Sequence, residues 1–248
     1  MYDGTIKESE DTQMESVQAP ITVMQRVEWK YILSAEQTEF FCERLVGHME
    51  PDAYGLTTIQ SLYYDTPDRR IVRTSIEKPA FKEKIRLRAY GRATNASPVF
   101  LELKRKAFGI VYKRRVQATV PEVNRFFAGE LNLDEEGQID REITYFRDYY
   151  KNLEPACMIL YDRTAYYEPD GDLRLTVDRN PRYRLDALSF DHASVGIPLL
   201  DPGETILEIK VQDTIPLWLV RILSDGNIKH GSISKYGEAY RLGMRSRN

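Results

Sequence analysis

Charged and apolar residues alternate along several stretches of the chain, and this alternation predicts β-strands with one charged and one apolar face. In residues 82–90, one face carries Lys82, Lys84, Arg86 and Arg88, whereas the apolar residues Ile85, Leu87 and Ala89 lie on the other face. Four neighbouring cations repel one another, so water, carboxylates on nearby strands or a bound polyanion must neutralise them. Seven other stretches are predicted strands: 26–33, 58–65, 99–106, 110–120, 156–167, 173–179 and 205–211.

Helical spacing of apolar residues appears between the predicted strands. Ser34 is a candidate N-cap with Gln37 as its capping-box partner, and Pro121 is placed to begin a helical region that reaches Tyr150. Shorter helices are predicted over 69–76 and 217–223. Because amphipathic helices need apolar surface to cover, helices outside the sheet would leave the charged faces inside. We therefore predict an α+β fold, a closed antiparallel eight-stranded β-barrel with helices packed outside and a hydrophilic tunnel within.

Composition narrows the possible partners. The chain has 248 residues, with 35 Lys and Arg against 38 Asp and Glu, so its net charge of −3 disfavours a general nucleic-acid binder. We expect residues 1–20 to be a disordered acidic tail and residues 21–248 to form one domain. No apolar stretch is long enough for direct membrane insertion. Cys42 and Cys157 are too few and too far apart for a disulfide framework, which favours free thiols and a cytoplasmic location.

A concave surface rich in Arg and Lys is suited to phosphate, since Arg makes bidentate hydrogen bonds and Lys adds a mobile point charge. Glu28, Glu102 and Glu208 share faces with these cations, and Lys210 shares the face of Glu208. Each carboxylate can simply pair with a neighbouring cation. Alternatively, each can hold Mg²⁺ or Mn²⁺, which bridges carboxylate to phosphate.

Seven short motifs occur in order along the chain: RVEWKY at 26–31, IRLR at 85–88, LELKRK at 101–106, YDRTAY at 161–166, LRLTVDR at 173–179, LEIK at 207–210 and SKY at 234–236. In this order they resemble VTC-type polyphosphate polymerase domains of the triphosphate tunnel metalloenzyme superfamily. The resemblance covers roughly residues 24–240 and implies an eight-stranded tunnel that binds a triphosphate with a divalent metal.

The resemblance also implies roles for individual residues. Lys30 matches the N-terminal lysine of the family and Glu208 its metal-binding glutamate, so we predict that both are catalytic. The other matching positions are predicted phosphate contacts: Arg86, Arg88, Lys104, Lys106, Lys113, Arg115, Tyr161, Arg163, Arg174, Ser234 and Lys235. We add Lys210 to the phosphate contacts, and Glu28 and Glu102 to the metal ligands, because of the faces they share.

One position departs from the hydrolytic relatives, which resemble ExExK at the first strand. Here Arg26 replaces the first glutamate, which removes a ligand for a second metal and its activated water. The predicted function is therefore ATP-dependent polyphosphate synthesis with Mn²⁺ or Mg²⁺, and the predicted partners are ATP, triphosphate or polyphosphate. The alternatives are a triphosphatase in the same tunnel, a non-catalytic polyphosphate or inositol-phosphate sensor, and, least favoured, an RNA-binding barrel. Eukaryotic members of the family sit in membrane complexes, but no sequence feature here identifies a membrane partner.

Overall fold

The computed structural model describes residues 27–94, 96–108, 110–132, 137–212 and 214–245. The predicted acidic tail at 1–20 and Arg26 lie outside the described residues. Cys42 and Cys157 are both free thiols, as expected. Within the described ranges, no helix combines the length and the hydrophobicity needed to cross a bilayer.

Eleven strands form one sheet in the described part of the chain. They are β1 (Val27–Leu33), β2 (Glu50–Pro51), β3 (Thr57–Asp65), β4 (Phe81–Tyr90), β5 (Val99–Ala107), β6 (Ile110–Ala118), β7 (Glu154–Tyr167), β8 (Arg174–Arg184), β9 (Ile197–Pro198), β10 (Thr205–Val211) and β11 (His230–Gly231). The strands β2, β9 and β11 have two residues each, and the remaining eight correspond to the eight predicted strands. The strand β8 continues past Pro181 because the β7–β8 register shifts there and Asn180 takes a positive φ of 48°.

The sheet is antiparallel but open, so the prediction of a closed eight-stranded barrel is wrong. Its strands follow the order β11-β1-β10-β8-β7-β3-β4-β5-β6, with β2 beside β7 and β9 beside β8. Among the described residues, no backbone pairing joins the terminal strands β6 and β11. A contact between distant strands indicates that the sheet nevertheless curls. Lys104 Nζ on β5 lies 3.9 Å from Glu28 Oε2 on β1. Alternation predicts which residues share a face, but it carries no information about whether the two edge strands meet.

Six helices occur in the same ranges: α1 (Ala35–Arg44), α2 (Arg70–Ile76), α3 (Val120–Phe127), α4 (Gln138–Tyr150), α5 (Leu217–Asp225) and α6 (Lys235–Arg245). The predicted capping box is confirmed, since Ser34 Oγ accepts from Gln37 N at 3.2 Å and Gln37 Oε1 accepts from Ser34 N at 3.1 Å. Pro121 lies in the first turn of α3, where its missing N–H leaves no hydrogen bond unmade.

Four helices cover the convex face of the sheet. Phe126 of α3 and Phe146 of α4 pack against a buried cluster on β4 and β5 that includes Leu87 and Leu101. In the same way, α1 and α5 cover β1, β8 and β10. Each large apolar side chain buried in this way contributes about 1.5–3 kcal/mol. The charged faces of the strands are thereby left on the concave side.

The helix α6 packs against the concave face, so the prediction that all helices lie outside is wrong for this element. Its residues Tyr236 and Ala239 are buried against Tyr63, Ile159 and Tyr161, which belong to β3 and β7. The helix fills one part of the concave face and leaves β4, β5, β6, β1 and β10 to line the rest.

A buried carboxylate joins α6 to α2. Asp65 is fully buried at the end of β3 and accepts from Ile71 N at 2.9 Å and Val72 N at 3.0 Å, at the start of α2. It also accepts from Tyr236 Oη at 2.7 Å. One side chain therefore satisfies two N–H groups in the first turn of α2 and holds the start of α6 against the sheet.

We predict that Asp65→Ala lowers the free energy of unfolding by about 3 kcal/mol, since several buried donors lose a charged acceptor at once. Tyr236→Phe removes only one of these bonds, so its loss should be about 1–2 kcal/mol. Urea denaturation of both variants measures the difference. A loss for Asp65→Ala no larger than that for Tyr236→Phe would contradict this role.

Candidate functional site

Glu208 is the centre of one cluster of cations on the concave face. Lys30 lies directly opposite it on β1 and contacts its carboxylate. Lys210 Nζ lies 3.3 Å and Arg163 Nη2 lies 3.7 Å from Glu208 Oε2, and Lys235 Nζ lies 3.6 Å from Glu208 Oε1. Burial favours the neutral carboxyl, but the surrounding cations outweigh it and hold the pKa of Glu208 well below its usual value. Four predicted site residues therefore meet at one carboxylate.

Asp178 on β8 is a functional candidate that the sequence interpretation missed. Its two oxygens accept from Arg163 Nε at 2.6 Å and Arg163 Nη2 at 2.8 Å, and from Lys235 Nζ at 2.5 Å. The charges of Lys235 and Arg163 overcome burial and lower the pKa of Asp178. The alternation did place Asp178 on the charged face of its strand, but only the β7–β8 register sets it opposite Arg163.

Glu102 on β5 is the centre of the second cluster, which contains three arginines. Its oxygens accept from Arg86 Nε at 2.8 Å and Arg115 Nε at 2.9 Å, and Arg88 Nε lies 3.6 Å away. Although burial opposes ionisation, these charges lower the pKa of Glu102 to about 2. A carboxylate that stays ionised at neutral pH fixes the orientation of the planar guanidinium groups.

Two tyrosines complete the arginine cluster. Arg86 Nη1 donates to Tyr63 Oη at 2.9 Å, and Arg88 Nη2 donates to Tyr161 Oη at 3.3 Å. Burial raises the pKa of Tyr161, but the charges of Arg88 and Arg163 outweigh this effect and bring the pKa below its usual value. Tyr161 was predicted as a site residue and Tyr63 was not. Tyr63 on β3 nevertheless lies directly opposite Arg86 on β4, on the same face of the sheet.

Lysines line the concave face beside these clusters. Lys84 Nζ donates to Ser234 Oγ at 2.9 Å, and Ser234 Oγ in turn accepts from Gly237 N at 3.1 Å at the start of α6. Burial and neighbouring cations lower the pKa of Lys84 to about 8. Partial enclosure and the nearby charges of Lys210 and Lys104 do the same for Lys113, whose pKa is also lowered to about 8. Positive charge is therefore crowded here beyond what the carboxylates neutralise.

Two predicted phosphate contacts lie apart from the ion-pair clusters. Lys106 is exposed and faces Lys82 across the β4–β5 pair. Arg174 turns back on its own hairpin, where Nη1 donates to Leu173 O at 3.0 Å and to Gly171 O at 3.4 Å. Their predicted roles therefore depend on movement or on a ligand long enough to reach them.

Two carboxylates converge in a way that fits a divalent cation. Glu28 Oε1 lies 3.1 Å from Lys30 Nζ, and Glu208 contacts the same nitrogen. Magnesium-type sites use one or two carboxylates together with substrate phosphate oxygens, and this pair offers two carboxylates once Lys30 Nζ, which now contacts both, moves aside. Within the described ranges, no three His, Cys, Asp or Glu residues could hold a metal by themselves. The arginine partners of Glu102 favour a positioning role for it over the predicted metal role.

Three buried polar atoms on the concave face have no hydrogen-bond partner among the described residues: Arg88 Nε, Ser61 Oγ and Thr176 Oγ1. Ser61 lies directly opposite Arg88, and Thr176 directly opposite Glu208. Unpaired buried donors are costly, and for Arg88 Nε the charge of Glu102 at 3.6 Å offsets part of that cost.

The structure defines a class of protein in which a curled antiparallel sheet carries clustered cations and carboxylates on its concave face. Comparison with protein families gives the particular group, since the model for the VTC domain matches residues 25–243. The chain therefore belongs to the VTC domain family. A search of curated proteins found no match.

Solved structures share the fold at low sequence identity. A putative adenylate cyclase from Bacillus halodurans is 13% identical with a TM-score of 0.54, over 85% of this chain and 96% of that one. A putative adenylyl cyclase from Hippeastrum, which has a dominant triphosphatase activity, is 17% identical with a TM-score of 0.51, over 88% of this chain and 96% of that one.

We predict that tripolyphosphate affinity falls as the pH rises through about 8, because Lys84 and Lys113 lose their charges there. Calorimetric titration at about pH 7 and about pH 9.5 measures the change. The Lys84→Arg/Lys113→Arg variant keeps both charges, so its affinity should fall less. An equal fall in affinity in the wild type and in this variant would contradict the assignment of the pH dependence to Lys84 and Lys113.

The lowered pKa values of Lys84 and Lys113 also affect folding, but here a rise in pH increases stability, whereas it decreases tripolyphosphate affinity. Both pKa values are about 8 in the folded chain, below the value of 10.5 for an unperturbed lysine. Between these values the folded state binds fewer protons than the unfolded state. This contribution to the stability of the ligand-free protein therefore increases as the pH rises from 8 to 10.5, and the loss of affinity is not a consequence of unfolding.

Proposed function

We propose that this protein is an ATP-dependent polyphosphate polymerase, which transfers the γ-phosphoryl group of ATP to a phosphate chain on the concave face. The observation that supports this best is a continuous row of cations along two paired strands. Lys82, Lys84, Arg86 and Arg88 follow one another on β4, and Lys104 and Lys106 face them from β5. This row is longer than one triphosphate requires, and it suits a lengthening polyanion.

Phosphoryl transfer needs in-line positioning and neutralisation of charge more than it needs covalent chemistry. Arg86, Arg88 and Arg115, oriented by Glu102, offer rigid donors to the phosphate oxygens. Arg163 and Lys235, oriented by Asp178, offer donors from the opposite side of the concave face. Lys30 is held charged by Glu208 and Glu28, which raise its pKa, and we propose that it contacts the transferring group.

Glu28 and Glu208 are the residues that would hold a divalent ion, Mn²⁺ or Mg²⁺. When bound, such an ion neutralises negative charge on phosphate oxygens. The metal role predicted for Glu102 stays a prediction that its three arginine partners disfavour.

The proposed acceptor is itself an oxyanion, so it needs no strong general base. His48 stacks on Trp218 with ring centroids 4.3 Å apart, and His230 packs edge-on against Tyr31 at 5.7 Å. Both aromatic partners belong to the apolar packing of the convex side. These two histidines are therefore not placed to act on the phosphates.

Hydrolysis is the second candidate, because the Hippeastrum protein of similar fold is a triphosphatase. Transfer to phosphate is favoured by the sequence, in which Arg26 stands where hydrolytic relatives have a carboxylate. A polyphosphate sensor without catalysis is the third candidate. The cytoplasmic location stays a prediction from the sequence, and no partner beyond the phosphate ligands is proposed.

We predict that purified protein incubated with ATP and Mn²⁺ forms long-chain polyphosphate together with ADP. The test follows ADP, free phosphate and chain length in the same reaction. Equal amounts of ADP and free phosphate without chain product would identify a hydrolase. The absence of all three products, with triphosphate binding intact, would identify a sensor.

We predict that Glu208→Gln abolishes metal-dependent turnover but keeps metal-free tripolyphosphate binding, or strengthens it, because a negative charge leaves a cationic face. Turnover at limiting Mn²⁺ and calorimetric titration in chelator measure the two effects. Glu39→Gln, on the exposed side of α1, is the matched control and should behave as wild type. A wild-type rate for Glu208→Gln would show that this carboxylate is only an ion-pair partner.

A further inference from the structure

The side chains of the concave face change in character along strands β4, β5 and β6. Register pairs place Lys82 beside Lys106 at one end, and we call this the lysine end. Arginines occupy the middle, where Arg86, Glu102 and Arg115 lie at one level. At the other end are two aromatic residues, Tyr90 and Phe100, and we call this the aromatic end.

The lysine end is a place where cations lie close together. Partial burial and the charges of Lys106, Lys78 and Lys104 all lower the pKa of Lys82. A lysine ammonium on a flexible stem neutralises a polyanion without imposing one geometry. Such a surface suits a chain of identical phosphates that moves past it.

The aromatic end is built differently. The rings of Tyr90 and Phe100 lie with centroids 5.8 Å apart at an interplanar angle of 76°. Both residues lie on the concave face, since Phe100 pairs with Arg88 and Tyr90 follows two positions later on β4. Tyr90 lies in a row of positions that otherwise carry predicted phosphate contacts, and it is 45% exposed. Gln117 is exposed beside Phe100 and supplies an amide that can both donate and accept.

Arg115 links the aromatic end to the arginine cluster. It donates through Nη2 to Tyr90 Oη at 2.8 Å, and its Cζ lies 4.5 Å from the Phe100 ring centroid. The same guanidinium contacts Glu102. Along β4, Tyr90 is four residues beyond Arg86, which is about 13 Å in an extended strand. That separation is comparable with the reach from the terminal phosphate to the base in an extended nucleoside triphosphate.

We propose that Tyr90 and Phe100 form a nucleobase subsite, so that ATP lies with its base at the aromatic end and its γ-phosphate towards the lysine end. This inference rests on the proposed use of ATP and deepens it. Aromatic rings stack on the face of any base, and Arg115 places the rings next to the groups that hold the phosphates. The growing chain then leaves along Lys84, Lys82 and Lys106, away from the base.

The test compares the affinities of ATP and inorganic tripolyphosphate, which share the phosphates but not the base. Both affinities are measured by calorimetric titration in the presence of a chelator, which prevents metal-dependent turnover. Tyr90→Ala and Phe100→Leu should each weaken ATP binding, by about tenfold for Tyr90→Ala, with little change for tripolyphosphate. Tyr90→Phe keeps the ring but loses the bond to Arg115, so it should bind ATP as wild type does.

Three outcomes would overturn the proposal. The first is an equal loss of ATP and tripolyphosphate binding in Tyr90→Ala, which would mean that the ring acts only by positioning Arg115. The second is no loss of either. The third is a larger loss of ATP binding than of tripolyphosphate binding in Lys82→Ala/Lys106→Ala, since these lysines lie at the end of the row away from the base. Because no turnover is measured, a protein that makes no polyphosphate can still pass this test, and an active polymerase can fail it.

Discussion

The arrangement of the concave face depends on the attraction between buried carboxylates and the cations around them. At a separation of 4 Å, two unit charges interact with about 4 kcal/mol at an effective dielectric constant of 20. Unopposed, the cations on β4, β5 and β6 would repel one another by amounts of this order. Glu102 offsets part of this repulsion through its pairs with Arg86 and Arg115. Asp178 and Glu208 do the same for Arg163 and Lys235 on the other part of the concave face. What remains is a preorganised positive surface, which would need little rearrangement to bind the proposed polyanion.

These carboxylates also connect elements that are distant in the chain. Glu208 brings together β1, β7, β10 and α6, whereas Glu102 joins β4, β5 and β6. The contact between Lys104 and Glu28 spans the two sides of the curled sheet. The two clusters therefore approach each other only when the sheet is curled, and a ligand that bridges the two sides would favour the curled form.

The helix α6 makes the concave face asymmetric. Asp65 and Tyr236 fix its first turn, and stacking of Tyr236 on Tyr63, with ring centroids 4.5 Å apart, carries this constraint to Arg86. Lys235 and Ser234 reach the site from the same turn. A buried acid that caps α2 is thus part of what positions two residues of the candidate site.

The sequence by itself determined the features that depend on local periodicity. Side chains alternate with a period of two along a strand, so the eight long strands and the shared face of Arg86, Glu102 and Lys104 could be predicted. The capping box at Ser34 could also be predicted, because its partners are three residues apart. Only the tertiary structure decided the open edge of the sheet, the position of α6 on the concave side, and the pairing of Asp178 with Arg163 and Lys235. It also decided that Glu102 is surrounded by arginines. Each of these depends on contacts between residues far apart in the chain, and the alternation of a single strand contains no information about which partner will lie opposite it.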